Sequence, residues 1–208
     1  RGRKLLEHKV NWMFVSIDGA DPGTFSGIRV GGDLGKVINN CRNFVKLRAE
    51  YRTPEYSGPF LSTTFTMNRS NMPEVPEFVE LASDVGFDQI HIKNQDVVSK
   101  SDDVQQILFP FSDDQPDIPY DELESKFAQA RLIAQERGTT LLLPTFEHGF
   151  TNTCNPMQQG GVYVAATGEV SPCVNLGHPT PRMMPDGSYI ENSGMVFGNL
   201  HEQCFDEI

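Results

Sequence analysis

The chain has 208 residues, of which 38% are apolar, and a formal charge of −11. That is enough for one full domain with a small extension, and the acidic balance excludes a nucleic-acid surface, which needs clustered Lys and Arg against phosphate. No long apolar run and no charged-then-apolar leader is present, so neither a membrane span nor a signal peptide is expected.

Trp12-Met13-Phe14-Val15-Ser16-Ile17 is a short apolar run with the look of a buried strand. Asp18-Gly19-Ala20-Asp21-Pro22 reads as a loop, and Asp33 opens a helix in which Leu34, Val37, Ile38, Cys41, Phe44, Val45 and Arg48 recur at helical spacing. Cys41 on that stripe is expected to be a small core residue. Residues 60–67 form the next expected strand, Asn71 to Gly86 a helix stopped by glycine, and 88–93 a third strand. His91 in that strand reads as a satisfied sheet histidine. A polar segment, Asn94 to Pro119, is long for a structureless connection and is expected to be functional, mobile or inserted. Tyr120 to Gly138 reads as a helix and 139–143 as a fourth strand.

Strand and helix thus alternate at short intervals, which predicts βαβ units and a parallel sheet. From Pro144 the rhythm breaks. Gly161-Val162-Tyr163-Val164-Ala165 and Val170-Ser171-Pro172-Cys173-Val174 flank a Thr167-Gly168 tip, the pattern of a β-hairpin. Cys154, Gly168 and Cys173 stand as C-x₁₃-G-x₄-C, which places two thiols near the ends of that hairpin. Four cysteines at irregular spacing (Cys41, Cys154, Cys173, Cys204) are too few for a secreted disulfide scaffold, which suggests a cytoplasmic setting and metal ligation by the hairpin pair. Other readings stay open. His148, Cys154, Cys173 and His178 could form a tetrahedral zinc site, or the pair could be metal-free or oxidised to a disulfide. Cys204 reads as a bystander.

Ser16 and Asp18 lie where the first strand ends, with Arg29 one loop later. Ligands of parallel sheets gather at the carboxyl ends of strands, and this trio can hold a carboxylate or a ribose. Taken alone, it reads equally well as a capped turn with a surface arginine.

Several pieces together resemble the radical S-adenosylmethionine enzymes that carry a SPASM/Twitch-type C-terminal extension. They are Val15 to Asp21 with Thr24-Phe25 and Ile28-Arg29, then Thr66 to Asn71 leading to Glu77-Phe78-Val79-Glu80-Leu81-Ala82 and Gly86. The C-x₁₃-G-x₄-C hairpin and Gly198-Asn199-Leu200 before Phe205-Asp206-Glu207-Ile208 complete the set, in the family's order. The resemblance implies a partial (β/α) barrel over residues 1–146, with its interior face open, and a truncated cysteine module over 147–208. It implies hydrogen abstraction from a peptide, protein or small metabolite, using S-adenosylmethionine and [4Fe–4S] clusters. Ser16 and Arg29 would lie near the cofactor's carboxylate, Asp18 would support their loop, and Asn68 would line the same crevice. Cys154 and Cys173 would ligate an auxiliary cluster. The family's C-x₃-C-x₂-C loop and Gly-Gly-Glu segment have no counterpart here, so the chain reads as a middle-to-C-terminal portion, inactive by itself. Self-association through the open barrel face, or cover of that face by the Asn94–Pro119 segment, is expected, and no nucleic-acid or membrane partner. The alternative function is a non-catalytic metal-binding or interaction module.

Overall fold

In the computed structural model the described residues are 2–95, 106, 108, 120–144, 161–178, 182–183, 189–190 and 193–208. The chain divides into two compact units, Arg1–Asp96 with Gln105–Pro144, and Val97–Val104 with Thr145–Ile208. Among the described residues no helix is long and apolar enough to cross a membrane.

The first unit is a four-stranded, all-parallel sheet with helices. In chain order come α1 (Gly2–Glu7), β1 (Trp12–Ser16), α2 (Pro22–Ile28), α3 (Leu34–Glu50), β2 (Phe60–Met67), α4 (Val75–Val85), β3 (Gln89–Asn94), α5 (Tyr120–Arg137) and β4 (Thr140–Leu142). The strands lie in sequence order, with Ser16 opposite Thr64, Thr64 opposite His91 and His91 opposite Leu142. Parallel strands need crossovers, and the helical periodicity of α3, α4 and α5 supplies them. Asp33 caps α3 by accepting from the Lys36 amide, and Gly86 ends α4 in the left-handed conformation (φ 95°), where a side chain would be strained.

The helices cover one face of the sheet. Phe65 of β2 packs on Phe78 of α4 with ring centroids 4.6 Å apart, and both are fully buried. Met13 and Val15 face Val37, Cys41 and Phe44 of α3 across a cleft of about 600 Å³ at the β1 edge. Strand side chains alternate, so Trp12, Phe14 and Ser16 project from the opposite face, where Trp12 and Phe14 are 54% and 60% exposed. Trp12 stacks on Phe14 and Phe60 there. Within that face Ser62 of β2 is fully buried, so the large exposure among the described residues belongs to the β1 side; parallel sheets are normally buried on both sides.

An ion pair closes the amino end of the sheet. The buried Arg48 guanidinium binds Asp88 through both terminal nitrogens and donates to the Pro59 carbonyl at 3.0 Å, while Asp88 accepts from the Leu61 amide at 2.7 Å. Arg48, expected on the apolar stripe of α3, is buried, but as a paired charge. Within the helix layer Arg137, the last residue of α5, binds Glu80 and Asp84 of α4.

The second unit contains the expected hairpin, β5 (Tyr163–Val164) against β6 (Glu169–Ser171), antiparallel. Gly168 at its tip has φ 84°. A further strand joins β6 and makes this sheet three-stranded. Between β6 and that strand come α6 (Val174–Gly177), β7 (Arg182–Met183) and β8 (Tyr189–Ile190); the added strand is β9 (Gly198–Asn199). The Asn199 amide group donates to the Thr167 carbonyl at 3.1 Å and the Leu200 amide to the Gly168 carbonyl at 2.9 Å, so Gly198-Asn199-Leu200 secures the hairpin tip. A short 3₁₀ turn follows at Phe205–Glu207. The segment 94–119 lies mostly outside the described residues.

Candidate functional site

The loops after β1 and β2 are locked together at the carboxyl end of the sheet. Asp18, almost fully buried, accepts from the Thr66 amide at 2.7 Å with one oxygen. Its other oxygen takes Nε of Arg29 at 2.7 Å and Nη2 at 2.6 Å. Burying a carboxylate is tolerable only when it is paired and hydrogen-bonded in this way. Arg29 caps the carboxyl end of α2, and its backbone N–H donates to the Phe25 carbonyl at 2.7 Å. Phe25 in turn packs so closely on Gly19 that a Cβ there would come within 2.9 Å of its backbone nitrogen. Glycine at 19 is thus what lets α2 lie against the strand end.

Asn71, fully buried, bridges the two loops. Its amide group donates to the Asp18 carbonyl at 3.1 Å and the Thr66 carbonyl at 2.9 Å, and its oxygen accepts from the Asn68 amide at 2.7 Å. Glu74 adds a second bridge by accepting from the amides of Ala20 (2.7 Å) and Asp21 (3.0 Å). Neither Asn71 nor Glu74 is a site residue by sequence reasoning, because each acts across more than fifty positions on backbone groups that no motif displays.

The sequence-derived candidates occupy distinct places around this corner. Ser16 is exposed on the uncovered face, and its hydroxyl accepts from the Thr64 hydroxyl at 3.1 Å. Arg29 is held on its inner edge by Asp18, its side chain is 45% exposed, and Nη1 has no hydrogen-bond partner among the described residues. Asn68 is buried, and its side-chain oxygen is turned into its own loop, accepting from the Ser70 amide (2.9 Å), the Ser70 hydroxyl (2.7 Å) and the Asn71 amide (3.3 Å). It shapes the turn after β2.

In the second unit Cys173 is a half-buried free thiol at the start of α6. Because it is free, the disulfide reading of the hairpin pair is not what the structure has. Cys154 and His148 lie outside the described residues. His178 is taken up by Tyr163, whose hydroxyl lies 2.5 Å from Nε2, with the two rings edge-on at 5.3 Å. A zinc ion would have to use the other nitrogen. Among the described residues no group of three or more His, Cys, Asp or Glu side chains could hold a metal ion.

Cys41 is buried beneath α3, and burial pushes its thiol pKa up. Burial, and secondarily the Lys93 charge, pulls the His91 imidazole below the ordinary histidine value. His91 lies on the uncovered face beside Thr64, and no hydrogen bond to its ring is found among the described residues. The chain matches no protein-family model and no curated protein.

Proposed function

We propose that the chain is part of a radical S-adenosylmethionine enzyme, an iron–sulfur oxidoreductase or maturase acting on a peptide, a protein or a small metabolite. The observation that carries this reading is the parallel sheet with helices packed on one face, Ser16 on the other face, and the Asp18–Arg29 pair at the carboxyl end of its strands. In a (β/α) barrel the open face is the interior, and the ligand sits at the carboxyl ends of the strands. The outer edge of β1 and the cleft between β1 and α3 are what a further βα unit would fill, so the sheet suits a partial barrel.

The chain's own residues fit the carboxylate of S-adenosylmethionine. Ser16 brings an exposed hydroxyl, held on one side by its hydrogen bond with the Thr64 hydroxyl. Arg29 offers its outer nitrogen, and Asp18 fixes the guanidinium plane while neutralising its charge. An orientation set in advance lowers the entropy lost on binding. Asn71 and Glu74 hold both loops in register, so Ser16 and Arg29 sit on a rigid frame. In that family a bound [4Fe–4S] cluster and S-adenosylmethionine supply hydrogen abstraction from substrate. Of the two hairpin cysteines only Cys173 lies among the described residues, one ligand is too few to hold a cluster, and the roles of Cys154 and Cys173 rest on the resemblance alone.

The coding sequence directly upstream of Arg1 tests the reading. A C-x₃-C-x₂-C encoded there supports the enzyme. A start codon in its place overturns it in favour of a non-catalytic metal-binding or interaction module.

A further inference from the structure

The open face of the sheet carries a charge asymmetry that the Asp18–Arg29 corner does not use. The chain holds 28 Asp and Glu against 17 Lys and Arg. Yet no strand residue on that face is acidic, and its two titratable side chains, His91 and Lys93, are both basic. They stand two apart on β3, so both project from the same face, toward the strand end where ligands of parallel sheets gather. Across the register lie Thr64 and Thr66 of β2 and Leu142 of β4, none of which brings a countercharge, and the helices pack on the opposite face. Among the described residues Lys93 is exposed and makes no ion pair. An exposed cation without a partner among the described residues, two positions from a histidine on the same face, is placed to receive an anion.

The geometry points to an oxyanion subsite in which Lys93 and His91, with the Thr66 hydroxyl beside them, bind the carboxylate or phosphate group of a small ligand. Lys93 supplies a point charge, and the His91 ring N–H a directional hydrogen bond. The subsite stands independently of the cofactor reading, which assigns its carboxylate to Ser16 at the end of β1 and Arg29 at the end of α2. Free His91 is neutral at neutral pH, because burial and the Lys93 charge both disfavour the imidazolium. A bound anion offsets Lys93 and favours the imidazolium, so it raises the His91 pKa. Binding therefore takes up a proton and tightens as pH falls through the His91 titration.

The test follows the His91 ring by NMR across a pH titration of the whole chain, in acetate, in inorganic phosphate and in chloride at matched ionic strength. Chloride reports screening of Lys93 alone. The expected result is an upward movement of the His91 pKa in acetate or phosphate beyond that in chloride, and an affinity weakened roughly tenfold in Lys93→Gln, about the value of one charge-assisted contact. A response to acetate only identifies a carboxylate ligand, one to phosphate only a phosphate ester, and one to both the oxyanion class as a whole. Identical titrations in all three salts, or an unchanged affinity in Lys93→Gln, would overturn the subsite. The measurement needs neither iron nor S-adenosylmethionine. A protein that passes it but lacks the upstream cysteine motif would keep the subsite and lose the proposed function.

Discussion

Asp18 and Arg29 form a two-point contact in which one buried carboxylate oxygen receives both Nε and Nη2 of the guanidinium, at 2.7 and 2.6 Å. The second oxygen of the same carboxylate holds the Thr66 amide on the neighbouring strand. One side chain thus ties the loop after β1 to β2 and sets the direction in which Arg29 can reach. Replacing Asp18 by Ala leaves a buried amide without an acceptor, and the expected loss is about 1–3 kcal/mol. Urea unfolding of Asp18→Ala and Arg29→Ala compares the two. Arg29→Ala should be the more damaging, because it strands the buried Asp18 carboxylate, whereas in Asp18→Ala the half-exposed Arg29 turns to water. Equal stability of Asp18→Ala and the parent would refute this account of the corner.

The Arg48–Asp88 pair calls for a double-mutant cycle. Arg48 is buried and Asp88 is partly covered, and each also serves a backbone group, the Pro59 carbonyl and the Leu61 amide. Arg48→Met strands a carboxylate at the sheet's amino end and should destabilise by about 3 kcal/mol or more. The combination Arg48→Met with Asp88→Asn should recover part of that loss. Strictly additive effects would mean that the two charges are not coupled.

Thiol accessibility separates the cysteines. Burial raises the Cys41 pKa, so less reactive thiolate exists at mildly alkaline pH, and the thiol is also covered. Brief iodoacetamide treatment of the native chain, read by peptide mass spectrometry, should label exposed Cys204 and half-buried Cys173 well before Cys41. Early labelling of Cys41 would show that the cleft beside Val37 and Phe44 admits reagent and that α3 is not seated as described.

The strands were legible in the sequence because Trp12 to Val15 is a short apolar run and Phe60 to Met67 is rich in aromatic and β-branched residues, both strand-forming patterns. Helix ends were legible where chemistry marks them, at Asp33 and Gly86. Helix α2 was not foreseen, since Asp18 to Pro22 reads as loop. Its signal was present all the same, in Asp21, whose side chain accepts from the Gly23 and Thr24 amides, and in Pro22 at the first helical position. Strand β9 is two residues long and carries no periodicity, so only its pairing with β6 defines it. Within the site, Ser16, Asp18 and Arg29 stood out as polar residues beside a strand end. Asn71 and Glu74 bind backbone groups far away in sequence, and side-chain identity alone does not reveal that.

The most direct test of the central claim is the iron and sulfide content of the whole gene product after anaerobic reconstitution, compared between the parent and the Cys154→Ser and Cys173→Ser variants. The account predicts a parent that holds iron and acid-labile sulfide, and variants that hold less of both while retaining the cluster that binds S-adenosylmethionine. A parent free of iron, or variants with undiminished iron, would contradict it.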